Sequence, residues 1–218
     1  MESKTSTPGT LRILAVCGSL RKKSVNAAVL RAAARLASSA TLRIDSALDI
    51  EVVLATSLAE LPHFNEDDDF PDAAPRTGEA RESHPAVARF RGELTLADAV
   101  LIASPEYAHG YPGLLKNALD WLVGSGQLVD KPVALSVASP AHLGGFRAQA
   151  TLLQILQAMN ARVVATANFA GIRAKLDRAG EVSDESTLSE LRRILEALAA
   201  AVQQKRESGD ERIDSQSA

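Results

Sequence analysis

The sequence predicts an α/β fold, a parallel sheet with helices on both faces. Two observations carry this. Short apolar runs end repeatedly in glycine, proline or small polar residues, as strands buried on both faces do. Between them lie longer stretches rich in alanine and leucine, with apolar residues three and four apart, the period of a helix packed on one side. Strand and helix patterns that alternate along a chain build parallel sheets.

The elements follow in order. Residues 1–10 (MESKTSTPGT) form a polar, flexible lead-in. The run 11–17 (LRILAVC) is a strand stopped by Gly18 and Ser19, and 27–37 (AAVLRAAARLA) is an alanine-rich helix that Ser24 or Asn26 can cap. A second strand is expected at 50–55 (IEVVLA). The stretch from 65 to 84 is crowded with proline, glycine and acidic residues and reads as a long loop. Its run Asp67, Asp68, Asp69 matches no calcium-loop spacing and reads as a solvated acidic segment. Pro85 suits the first turn of a helix whose apolar face is Val87, Phe90, Leu94 and Leu96. A third strand at 99–103 is stopped by Pro105, and after a loop Leu114, Leu115, Ala118, Leu119 and Leu122 recur at helical spacing. A fourth strand (132–137), a helix (146–159), a fifth strand (162–166) and a last helix (187–203) complete one domain over 11–205, with a polar, flexible tail at 206–218. About five such strands suit the flavodoxin-like order 2-1-3-4-5, a three-layer sandwich.

Composition narrows the function. The hydrophobic fraction of 46% supplies a real core, and a net charge of -3 gives no reason to expect nucleic acid or an anionic membrane as partner. No apolar run approaches the roughly 18 residues of a membrane span. Cys17 is the only cysteine, so no intramolecular disulfide forms, which points to a reducing cytoplasm. The four histidines are too scattered for a metal site.

In the predicted strand order, strands one, three and four place their carboxyl-end loops side by side, where open α/β sheets bind ligands. The first loop, GSLRKKSVN, joins a helix N-terminus to the donors Ser19, Ser24 and Asn26 and to the planar cation Arg21, a set suited to phosphate. An ordinary capped helix with solvated Arg21, Lys22 and Lys23 is the plainer reading of that loop alone. The second, SPEYAHGYPG, holds Tyr107 and Tyr111, the only tyrosines; the third holds Ser139, Pro140, Gly144 and Gly145. Together they suit a phosphorylated planar ligand. Trp121 and Cys17 read as core fillers, Glu106 as a structural loop carboxylate and Lys116 and Asn117 as solvated residues of a helix start.

These residues also carry a family resemblance. GSLRKKSVN resembles the phosphate loop of the NADPH-dependent FMN reductases, and SPEYAHGYPGLLKNALDW resembles their flavin-ring loop and following helix. LPHFNED and the FRAQ after a double glycine are similar to further family pieces. The resemblance implies FMN as cofactor and NADPH or NADH as hydride donor. It implies hydride transfer to the flavin N5, followed by ping-pong reduction of a small-molecule acceptor: a quinone, an azo compound, chromate or free flavin. It implies a homodimer or homotetramer, and a flavin, not a side chain, as the reacting group. By position it assigns Ser19, Arg21, Ser24, Val25 and Asn26 to the phosphate. It assigns Pro105, Glu106, Tyr107, Ala108, His109 and Gly110 to the ring loop, and Ser139, His142, Gly144 and Gly145 to a third flavin-side loop. Ala108 stands where family members often have Asn, so a side-chain contact is lost there. A flavodoxin-type electron carrier or a redox sensor is the competing reading.

Overall fold

The computed structural model describes residues 9–39, 49–69, 83–141 and 144–216, with side chains described as far as 208. Five strands form one all-parallel sheet: β1 (Thr10–Cys17), β2 (Asp49–Leu54), β3 (Ala99–Ser104), β4 (Pro132–Ser139) and β5 (Arg162–Ala170), in the order 2-1-3-4-5. The helices between and after them are α1 (Val25–Ala37), α2 (Pro85–Leu96), α3 (Gly113–Val123), α4 (Phe146–Ala158) and α5 (Glu185–Gln216). The fold is the flavodoxin-like one that the alternation predicted.

Side-chain alternation along the strands divides the core into two layers. Leu11, Ile13 and Ala15 of β1, with Leu101 and Ala103 of β3, face α1 and α5; Leu14, Val16, Val100 and Ile102 face α2, α3 and α4. The first layer is rich in alanine, with Ala28, Ala32, Ala33 and Ala37 on α1, so that helix lies close to the sheet. Trp121 is buried, as expected of a core residue; its indole N–H donates to the Pro62 carbonyl at 2.9 Å, and Phe64 meets its ring edge-on at 5.1 Å.

Several elements differ from expectation for physical reasons. β5 runs to Ala170, past the expected end at 166, because Ala167 and Phe169 continue the inward-facing set while exposed Thr166 and Asn168 interrupt the apolar run. The last helix continues through Gln216, and the expected boundary at 205 falls inside it: Gln, Lys, Arg and Glu after residue 202 are good helix formers, and the helix runs on through Gly209. Lys205 donates to the Asp130 carbonyl at 2.9 Å and Arg206 pairs with Asp98 at 3.2 Å, which holds that continuation against the sheet's amino-terminal side. Of the lead-in, residues 1–8 lie outside the described residues, and Thr10 already belongs to β1. Of the connection 65–84, residues 70–82 lie outside them.

The acidic run is not uniformly solvated. Asp69 is nearly buried in an ion pair with Arg91, which also donates to the Trp121 carbonyl. Asn117 is likewise no mere solvated residue: its amide donates to the Pro62 carbonyl and its oxygen accepts from the Phe64 N–H, both at 2.8 Å. Asp120 pairs with Lys116, one helical turn away.

Candidate functional site

The chain leaves β1 for β2 on one side and returns to β3 on the other, so the loops after β1 and β3 diverge and a crevice opens between them. A cleft lies there. It is lined by Ser19, Arg21, Ser24, Val25 and Asn26 from the first loop and by Pro105, Glu106 and Tyr107 from the second. Ala138, Ser139, Pro140 and Arg173 close it from the β4 and β5 side. Three loops expected to meet from strand order alone therefore do meet.

The first loop has the geometry of an anion cradle. Ser24 caps α1, its hydroxyl accepting from the Ala27 N–H at 3.2 Å; the amides of Val25 and Asn26 have no partner among the described residues. The Arg21 guanidinium is exposed and likewise has none. Gly18 permits the close approach beneath: a Cβ there would come within 3.3 Å of the Ser104 hydroxyl. Asn26 serves differently from the expected phosphate donor. Its side chain is buried, donates to the Ala138 carbonyl and accepts from the Ala138 N–H, both at 3.0 Å. It thereby ties the first turn of α1 to the end of β4 and leaves one amide hydrogen for a ligand. Burial pushes the Cys17 thiol pKa up, against the hydrogen bond to the Ser19 carbonyl, so this side chain is an inert filler as expected.

The second loop is stiff. Tyr107 and Gly110 exchange both backbone hydrogen bonds, at 2.8 and 2.9 Å, around a two-residue turn. Ala108 and His109 at its centre both have positive φ, 48° and 65°, as a type I′ turn requires. Glu106 is the structural carboxylate that was expected: it accepts from the N–H groups of Arg147 and Ala148, both at 3.1 Å, and so caps α4. His109 lies 3.6 Å from the same carboxylate and contacts Arg147. Ala108, His109 and Gly110 form the rim of the cleft rather than its lining, with Tyr107 more than half exposed beside them.

The third loop needs its glycines. Gly144 has φ 67°, and a Cβ there would lie 2.1 Å from the Asn168 amide oxygen; one on Gly145 would lie 2.1 Å from a Val137 methyl. Both are buried behind Ser139, whose hydroxyl accepts from the Ala141 N–H at 3.1 Å. His142 lies outside the described residues. Arg173 was not foreseen, whereas Pro140 was expected in the loop after the fourth strand and does line the cleft. Arg173 follows a strand that the sequence pattern ends too early, and a lone arginine several residues past that expected end carries no local signal.

The sequence pattern of the NADPH-dependent FMN reductases matches residues 11–174, which takes in all three loops. The chain belongs to that family. It is an FMN-dependent NAD(P)H oxidoreductase, a flavoprotein enzyme. The quinone reductase of Escherichia coli K12 is 34% identical over 198 residues, covering 88% of this chain and 96% of that protein. The NADPH:quinone oxidoreductase of Arabidopsis thaliana is 32% identical over 205 residues, covering 92% and 96%. Among solved structures, the flavoenzyme NAD(P)H:(acceptor) oxidoreductase FerB from Paracoccus denitrificans superposes with a TM-score of 0.69 at 28% identity, covering 89% of this chain and 98% of that one.

The residues present fit the family cofactor. Unpartnered helix-start amides beside an unpaired guanidinium suit a phosphomonoester, and the rigid 105–110 loop with the glycine-lined turn across from it suits a planar ring. Among the described residues no helix is long and apolar enough to cross a membrane.

Proposed function

We propose that the chain reduces quinones or similar small planar oxidants with NAD(P)H, in the cytoplasm and as a homodimer or homotetramer. The quinone-reductase names of its full-length relatives support the substrate class. One observation carries the site assignment: an unpaired Arg21 and open helix-start amides lie beside the stiff loop at 105–110, in a single cleft. In this reading Arg21, the Ser19 hydroxyl and the amides of Val25 and Asn26 hold the FMN phosphate. Backbone groups of Pro105, Glu106, Tyr107 and Ala108 run along the ring, with Ser139 and Gly144–Gly145 at its far side. Bound FMN would supply the electron transfer that none of these side chains can. Glu106 keeps its carboxylate on α4 and acts as a brace, not as an acid. The exposed Tyr107 ring offers an apolar wall against which a quinone can lie.

The test is an anaerobic titration of the FMN-reconstituted protein with NADPH, followed by addition of a benzoquinone. Bleaching of the flavin band and its return on quinone addition is the expected result. A band that bleaches but returns only with another acceptor removes the quinone assignment. Flavin that stays oxidised with both NADPH and NADH removes the site assignment.

A further inference from the structure

Arg173 has no place in the sequence reading, yet it lines the cleft opposite the phosphate loop. Its position is built. Gly171, with φ 60°, turns the chain at the end of β5, and its N–H donates to the Ala141 carbonyl of the β4 loop at 3.1 Å. Ile172 is fully buried and anchors the short 3-10 turn that follows (Ile172–Lys175). Ser183 donates to the Lys175 carbonyl at 3.1 Å, and the Lys175 ammonium pairs with Asp184 at 3.7 Å. The backbone on both sides of Arg173 is thus tied down, and the neighbouring cation is spent.

Arg173 itself is not spent. Among the described residues three arginines lack a hydrogen-bond or ion-pair partner, Arg21, Arg173 and Arg178; two of the three line this one cleft. The cleft's one carboxylate, Glu106, is committed to the start of α4 and to His109. Two like charges brought to one cavity with no anion of their own repel each other, an arrangement stabilised by a ligand that carries more than one negative charge. A phosphomonoester carries about -1.5 to -2 at neutral pH.

We infer that Arg173 is the second cation of the phosphate subsite, closing on the phosphomonoester from the β5 side while Arg21 grips it from the β1 side. The inference rests on the FMN reading of the cleft. It makes Arg173 a determinant of choice between FMN and riboflavin, which share the ring but not the charge. The same chemistry could meet the 2′-phosphate of NADPH, and the experiment separates the two.

Affinities of the apoprotein for FMN and for riboflavin are measured by flavin fluorescence for the wild type, Arg21→Ala, Arg173→Ala and Arg173→Lys. Expected are a loss of about tenfold or more in FMN affinity for Arg173→Ala, the scale of one charge-assisted contact, and a riboflavin affinity within about twofold of wild type. Arg173→Lys regains part of the loss, since the charge returns without the planar fork. Unfolding temperature without flavin stays at the wild-type value, because the side chain has no protein partner to lose. Unchanged FMN affinity in Arg173→Ala, while Arg21→Ala is weakened, overturns the inference and leaves the FMN reading standing. Retained FMN affinity with a raised KM for NADPH but not for NADH also overturns it, moving the residue to the nicotinamide cofactor. A wild type that does not distinguish FMN from riboflavin sinks the FMN reading and the inference with it.

Discussion

Ala108 and His109 sit with φ of 48° and 65°, a region that costs an L residue with a Cβ about 1–2 kcal/mol and that asparagine and glycine tolerate best. The sequence hinted at this, since Ala108 stands where the resembling family often has Asn; what it could not show is that the position is a turn centre. Ala108→Asn should therefore stabilise the flavin-free protein by about 0.5–1 kcal/mol, a rise of roughly 1–4 °C in unfolding temperature. A fall in that temperature would mean that the turn is not under strain. Arg21 is a second case argued from a single side chain. With no protein partner, its removal should leave folding untouched and weaken FMN binding by about 1.5–3 kcal/mol. Unchanged affinity would take the phosphate away from this loop. Asn26 shows the limit of reading residues one at a time: its spacing suggested a ligand donor, but its partner is the Ala138 backbone, 112 positions away in the chain. Nothing local encodes that contact.

Helix starts and strand ends, not whole helices, build the site. The sequence placed the loops well because glycine and proline mark them, as Gly18, Pro105 and Gly144–Gly145 do. It placed the ends of β4 and β5 poorly, because small and polar residues such as Ser139 and Asn168 can end a strand or simply face out of one. The β4–α4 loop is held by the fit of Gly145 against Val137. Gly145→Ala should destabilise by about 1–3 kcal/mol and weaken flavin binding, and Val137→Ala in the same chain should recover part of the loss through non-additive coupling. Purely additive losses would show that the close approach is not the cause. Asp184 offers a test at the start of α5, where it also pairs with Lys175 of the turn that carries Arg173. Its carboxylate accepts from the Thr187 N–H at 2.9 Å and from the hydroxyls of Ser186 and Thr187. Those hydroxyl hydrogen bonds, then the Thr187 amide, hold its pKa down at about 2, from 3.8. A lowered folded-state pKa stabilises the fold above about 3.8, and that contribution is lost as pH falls toward 2. Asp184→Asn, which keeps a capping oxygen, should unfold at a lower temperature than wild type at neutral pH, with the gap narrowing below pH 4. A gap independent of pH would assign the effect to geometry alone.

At the scale of the molecule, the site has no backbone of its own: it exists only where three loops far apart in the chain converge on one edge of the sheet. The strand order follows from the alternation of patterns, so this convergence was legible before any contact was known. The β5-side wall was not, because β5 is last in the sheet and its turn returns to the cleft only through tertiary packing. A ligand that bridges β1, β3 and β4 contacts both sides of the switch point, and it binds a surface that the unfolded chain lacks. Its binding energy is therefore folding energy. At a free FMN concentration of 100 times Kd the native state gains about 2.7 kcal/mol, which for a domain of this size is roughly 5–11 °C in unfolding temperature. Riboflavin at the same concentration should give much less, because it leaves the phosphate subsite unfilled. In Arg21→Ala the FMN shift should fall to less than half at unchanged ligand concentration. The apoprotein should unfold in one transition with and without ligand, since β1, β3 and β4 contribute side chains to both core layers. An FMN shift confined to one of two transitions would mean that the loops belong to a unit that folds apart from the sheet. No shift at saturating FMN would mean that the cleft does not hold the cofactor at all.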